Sequence, residues 1–188
     1  MSEDICFRNP VNDGLILLPR ILLQRMRNRL ADRSFGRRVE AGGILLGAYR
    51  GPHIEITDCT EPLPLDRQSS HMFDRIDPGH QKQARRLWSS TKETHTYVGE
   101  WHTHPGGSLS PSGTDKIGWQ KLSRVFEGNC LFFLVLADFG LRGEVGFVGK
   151  GRNPSLREAK QIKPTTSDTA LWDRLKKPGA VQTREQST

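Results

Sequence analysis

The chain has 188 residues, 35% hydrophobic and 26% charged, with a formal charge of +7. That is enough for one domain with a sizeable core, and too balanced a mixture for a wholly disordered chain. No apolar run approaches the roughly 20 residues of a membrane-spanning helix. The acidic residues 1–7 lack an apolar signal core, and the scattered Cys6, Cys59 and Cys130 fit reduced thiols in a cytoplasmic protein rather than a disulfide framework.

In chain order, residues 15–18 (Leu-Ile-Leu-Leu) predict a short strand. Pro19 suits the first position of a helix, in which Leu22, Leu23, Met26 and Leu30 recur at helical spacing with arginines on the other side. Residues 43–49 and 53–60 predict two strands joined by a tight turn at Arg50-Gly51-Pro52. Residues 61–70 read as a proline-containing loop. Asp77-Pro78 opens a second helix, with Ala84, Leu87 and Trp88 as its buried stripe. Residues 97–104 predict a strand, stopped by Pro105 and the glycines Gly106 and Gly107. A third helix runs over 112–127, with Trp119, Leu122 and Phe126 on one face and Gly128 as its stop. The continuously apolar residues 131–136 predict a central strand, and 141–148 a last strand after the turn Asp138-Phe139-Gly140. This alternation predicts an α/β domain over residues 1–150, with a mixed central sheet flanked by helices. Residues 151–188 are polar and basic with Pro154, Pro164 and Pro178, and read as a partly disordered tail with one short helix around Leu171, Trp172 and Leu175.

The chemistry concentrates around residue 102. On a strand, side chains alternate between faces, so His102 and His104 share one. Ser112 and Asp115 have the spacing of a capping box, and a helix starting there brings Asp115 back toward the strand end. Two imidazoles and a carboxylate are three metal ligands that leave a fourth position open, the catalytic arrangement for zinc. Water at that position ionises near neutral pH. Upstream, Glu40 opens the run Glu40-Ala-Gly-Gly-Ile-Leu-Leu-Gly47 and is a candidate base. Each element alone is commonplace. A lone His-x-His pair is usually surface or core, and Ser-x-x-Asp usually only a cap.

Their combination resembles the JAB/MPN (JAMM) metalloprotease family. That family's pattern is a glutamate ahead of a Gly-containing apolar strand, then His-x-His-Pro, six residues and Ser-x-x-Asp. Here Glu40, His102, His104, Pro105, Ser112 and Asp115 fill every motif position, over a resemblance that spans residues from about 10 to 150. It implies a JAB/MPN (cytidine-deaminase-like) sandwich and zinc-dependent hydrolysis of an amide bond. By position, His102, His104 and Asp115 hold one zinc ion per chain. Glu40 deprotonates the water and passes the proton to the leaving amine, and Ser112 donates a hydrogen bond to the oxyanion.

The resemblance also bears on partners. The chain looks most like bacterial JAB deconjugases encoded beside E1- and E2-like proteins, of the CBASS antiphage type. It implies a protein substrate with an extended C-terminal tail, either ubiquitin-like or a conjugated cGAS/DncV-like nucleotidyltransferase. Tails of this kind bind as an added strand, and the flanking residues here are Met72, Phe73, Gly106 and Gly107. Trimming of a sulfur-carrier or other ubiquitin-like precursor, and a non-catalytic interaction module, are the alternatives. The excess positive charge lies in residues 18–39 and beyond residue 150. It reads as a solvated helix face and a soluble tail, not as a nucleic-acid surface. There is no Cys-x-x-Cys, no His-Glu-x-x-His and no phosphate-binding Gly-rich loop, which excludes nucleobase deaminases, helical zinc proteases and P-loop enzymes.

Overall fold

Strand β8 (Leu131–Ala137) is buried along its whole length, and the fold is organised around it. Its alternate residues serve two cores. Phe132, Leu134 and Leu136 point into the main core, whereas Leu131, Phe133 and Val135 lie beneath helix α3 (Gly113–Val125). A strand covered on both faces must be apolar throughout, which is why this run shows no hydrophobic alternation.

The computed structural model describes residues 4–32, 38–148 and 153–175. The other elements are β1 (Ile5–Arg8), β2 (Leu15–Leu18), α1 (Arg20–Ala31), β3 (Gly42–Arg50), β4 (His53–Cys59), β5 (Arg67–Ser69), β6 (Met72–Asp74), α2 (Gly79–Ser90), β7 (Thr96–His104), β9 (Gly140–Phe147), β10 (Ser155–Ile162) and α4 (Thr166–Leu175). Eight strands form one mixed sheet that closes on itself in the order β1-β10-β9-β8-β7-β3-β4-β2. The β2–β4 and β7–β8 pairs are parallel and the rest antiparallel. Strands β5 and β6 make a separate hairpin.

The α/β class with a mixed sheet is the one the sequence predicts; closure of the sheet goes beyond it. Helix α1 explains how the closed sheet is filled. Leu22, Leu23 and Met26 pack with Phe7, Ile16, Leu45, Ile54, Trp101 and Phe132 in one core. Pro19 stands at the N-cap, one position ahead of the first helical residue.

Three expectations need correction. Strand β10 lies within the segment read as a tail, and it pairs with both β1 and β9. A boundary at residue 150 therefore cuts through the sheet. Only Ala159 of β10 is buried, so the strand is held by its backbone ladder and carries no hydrophobic signature. Helix α4 then docks Trp172 against Cys6, Leu15 and Leu17. Residues 176–188, the rest of the expected tail, lie outside the described residues. Second, the loop expected over 61–70 contains β5 and leads into the β5–β6 hairpin. Third, Trp88 on α2 is 42% exposed and His80 is the helix's buried residue, so Ala84, Leu87 and Trp88 do not form a buried stripe.

Removing a buried indole leaves a cavity and typically costs about 3–5 kcal/mol. Trp172→Ala is therefore expected to lower unfolding stability by about 3 kcal/mol in urea titration; a loss below about 1 kcal/mol would show that α4 is not part of the folded unit.

Candidate metal centre

Alternation along β7 sorts its residues. Trp101 is buried in the main core, while Glu100, His102 and Asp115 from α3 line one cleft. His102 Nε2 lies 2.9 Å from His104 Nε2. Asp115 Oδ2 is 3.6 Å from the first nitrogen and 3.8 Å from the second. One ligand atom from each residue falls within 4.8 Å of the others. A tetrahedral ion with ligands at 2.0–2.2 Å has ligand-to-ligand edges of about 3.3–3.6 Å. The three separations bracket that range, so the residues fit a small tetrahedral metal ion.

Local structure fixes each ligand. Asp115 sits in a capping box: its Oδ2 accepts the Ser112 N–H at 2.7 Å, and Ser112 Oγ accepts the Asp115 N–H at 3.1 Å. Burial works to raise the Asp115 pKa, but His102 and the two bonds from Ser112 hold it well below the usual carboxylate range. The carboxylate is thus a ready anionic ligand. His104 Nδ1 lies 2.6 Å from the Ser108 carbonyl oxygen. The oxygen can only accept, which assigns the proton to Nδ1 and leaves the Nε2 lone pair facing the group. Burial, reinforced by His102, pushes the His104 pKa down and keeps the ring neutral. Trp119 stacks on Phe133 and lies 5.7 Å from the His102 ring, walling one side.

The metal group borders a cleft of about 390 Å³ lined by Glu40, Phe73, Arg75, Glu100, His102, Asp115 and Trp119, among others. Glu40 is half-buried. Burial raises its pKa to about 7, with His102 lowering it and Asp115 raising it further. Its backbone is held from both sides. The Glu40 N–H donates to the Ser69 carbonyl at 2.7 Å, and the next residue, Ala41, exchanges bonds with Thr103. Gly42 pairs opposite His102, and a Cβ there would lie 2.5 Å from the Phe73 ring and 2.7 Å from the Trp101 carbonyl. Only glycine lets β3 approach so closely.

Other expected residues fall nearby. Ser112 is exposed at the N-cap, where its oxygen accepts the Asp115 N–H and its side chain, with its backbone N–H, stabilises the Asp115 carboxylate. Phe73 lines the cleft, whereas Met72 is 48% exposed on the hairpin and does not. Gly106 and Gly107 shape the turn after His104 and lie outside the cleft lining. Their N–H groups are taken by Asp138 Oδ2 and the His104 carbonyl, and Gly106 has φ of +73°, which favours glycine.

Sequence reasoning missed Thr103, which stands between the two histidines and holds Ala41. It also missed the ion pair of Arg75 with Glu100 in the cleft. The Glu100 signal was available, since it stands two residues before His102. Arg75 had none, because it arrives from a separate hairpin.

A closed mixed sheet thus carries two histidines and an aspartate that could hold a metal ion, beside a half-buried glutamate. The chain belongs to the prokaryotic homologues of the JAB domain, which match it over residues 21–140. Among curated proteins it is similar to a CD-NTase/cGAS isopeptidase of Pseudomonas aeruginosa, 40% identical over 45% of this chain and 53% of that one. It is similar to another protein so named from Vibrio cholerae, 34% identical over 54% of this chain and 65% of the other. The chain thus spans about half to two thirds of the length of these relatives. A solved structure, protein DSY2949 from Desulfitobacterium hafniense, aligns over 72% of this chain and 85% of that one, with a TM-score of 0.47 and 22% identity. That likeness is too loose to weigh in the assignment.

The raised Glu40 pKa has a consequence for stability. The folded chain binds this proton more tightly than the unfolded chain, so the stabilisation is complete below about pH 4.5 and is lost as pH rises through about 7. In metal-free protein, wild type is expected to lose stability relative to Glu40→Gln across that window. Parallel stability curves from pH 4 to 8 would contradict the burial of Glu40.

Proposed function

We propose that this protein is a zinc-dependent isopeptidase that cleaves the amide bond joining the C-terminus of a CD-NTase (cGAS/DncV-like) nucleotidyltransferase to a target protein. The observation that carries the reading is the convergence of His102, His104 and Asp115 into one group of ligand atoms beside a cleft that Glu40 also lines, in a chain similar to proteins named CD-NTase/cGAS isopeptidases. Conjugation by an E1/E2-like protein is the reaction that must supply such a substrate, and antiphage defence in the cytoplasm is the setting it implies. Among the described residues no helix is long and apolar enough to cross a membrane.

His102, His104 and Asp115 would hold the zinc, two imidazoles and one carboxylate being a normal donor set for it. When bound, the metal supplies Lewis acidity toward the scissile carbonyl and toward water. The chain's own residues do the rest. Glu40 takes the proton of the attacking water and delivers it to the nitrogen of the leaving amine. Its raised pKa brings it close to the operating pH, where a group can both accept and return a proton. Ser112 donates its O–H to the carbonyl oxygen as that atom gains negative charge. Trp119 and Phe73 line the cleft and exclude water from the reacting groups.

The test is hydrolysis of a nucleotidyltransferase C-terminus fused through an amide to a reporter domain. Wild type is expected to release the reporter. Glu40→Ala should keep its zinc and lose turnover by about 10²–10⁴-fold; undiminished cleavage by that variant would remove Glu40 from the mechanism. Ser112→Ala is expected to lower kcat by about 10²–10³-fold, as loss of an oxyanion donor does. A purely thermal effect of about 1 kcal/mol would instead leave Ser112 as a helix cap alone.

A further inference from the structure

Strand β4 is followed by a closed chain of polar groups that the reaction does not use. Thr60 is buried and follows the last residue of β4. Its Oγ accepts the Ile44 N–H at 2.9 Å and lies 2.6 Å from His80 Nδ1 on α2. His80 Nε2 lies 2.8 Å from Asp66 Oδ2, and both side chains are fully enclosed. Asp66 then gathers three backbone amides. Oδ2 accepts Leu63 N–H at 2.7 Å, and Oδ1 accepts Ile76 N–H at 3.0 Å and Asp77 N–H at 2.9 Å.

The direction of the chain follows from its chemistry. The Thr60 oxygen accepts from Ile44 and turns its own proton to His80 Nδ1. His80 then donates through Nε2 to the carboxylate, so each polar group is satisfied. The carbonyl of the same Thr60 accepts the Trp101 indole N–H at 2.9 Å, which anchors the chain to the strand bearing the histidines.

Leu63 precedes β5 and Ile76 follows β6. Asp66 therefore draws together the two legs of the β5–β6 hairpin at its base. That hairpin presents the Ser69 carbonyl to the Glu40 amide and the Phe73 ring to the cleft. Its other polar tie to the sheet is the ion pair of Arg75 with Glu100.

We infer that Thr60, His80 and Asp66 are positioning residues that set the place of Glu40 through the hairpin. The inference rests on the isopeptidase reading only for its effect on rate. The placement itself concerns the backbone. Breaking the chain at Thr60 frees the hairpin base, loosens the Ser69–Glu40 bond and leaves the metal ligands on β7 and α3 in place. Glu40 then samples positions from which it cannot reach the reacting water, and small displacements of a positioned group cost rate steeply.

The experiment compares wild type with Thr60→Val, which keeps the shape and removes the hydroxyl, and with Thr60→Ser, which restores it. Amide hydrogen exchange is read at Glu40, bonded to Ser69, with the Thr103 amide, bonded to Ala41, as the internal reference. In Thr60→Val the Glu40 amide is expected to exchange at least about tenfold faster while the Thr103 amide and the zinc content stay unchanged. On the fusion substrate kcat should fall about tenfold with KM within about twofold, and Thr60→Ser should recover both readouts. In a Glu40→Ala background the residual rate should not fall further, because the two residues act as one unit. Asp66→Asn breaks the chain at its other end and decides the matter should Thr60→Val not fold. A folded variant with wild-type protection at Glu40, or with loosened Glu40 and wild-type kcat, overturns the inference. Absence of hydrolysis by wild type counts against the isopeptidase reading alone, since exchange still tests the placement.

Discussion

One constraint underlies the site: the two-residue alternation of β7, a strand fixed on both sides by β3 and β8. On the cleft side it presents Glu100 and His102. Inward it sends Trp101, whose indole reaches Thr60. Thr103, which is fully buried, clamps Ala41 beside Glu40. A slip of one residue would exchange these sets. It would turn the histidines away from Asp115 and Thr103 away from Ala41. The two histidines and the support of Glu40 are therefore set by the same ladder of backbone hydrogen bonds.

The electrostatics divide the carboxylates into distinct roles. Asp115 keeps its charge because His102 and the bonds from Ser112 stabilise the anion more than burial opposes it. For Glu40, among the described residues, burial dominates and lifts the pKa to about 7. Glu100 is compensated by Arg75. One cleft thus holds a carboxylate kept anionic, a carboxylate whose pKa is raised and a neutralised pair. Pushing neighbouring titratable groups apart is the usual route to separate acid, base and ligand functions.

Legibility in the sequence followed the range of the forces involved. The histidines, the capping box of Ser112 and Asp115, the apolar stripe of α1 and the all-buried β8 depend on spacing within one element, and all were readable. Strand β10 was not, because a sheet edge closed by backbone bonds asks little of its side chains and only Ala159 is buried. The β5–β6 hairpin is three residues a side and is cinched by Asp66 from outside the ladder. Helix α2 misled because Trp88 suggested a buried face, whereas the helix docks through His80. The supports of Glu40, Thr103 and Ser69, come from segments far along the chain, and no local pattern announces them.

The central claim is that His102, His104 and Asp115 form one metal site. The most direct measurement is the zinc content of purified protein beside its Asp115→Ala variant, by elemental analysis. About one zinc per chain in wild type, lost on substitution in a variant that remains folded, is the result expected of a structural group whose ligands act together. No zinc in wild type even after adding it back, or undiminished zinc in Asp115→Ala, would contradict the account.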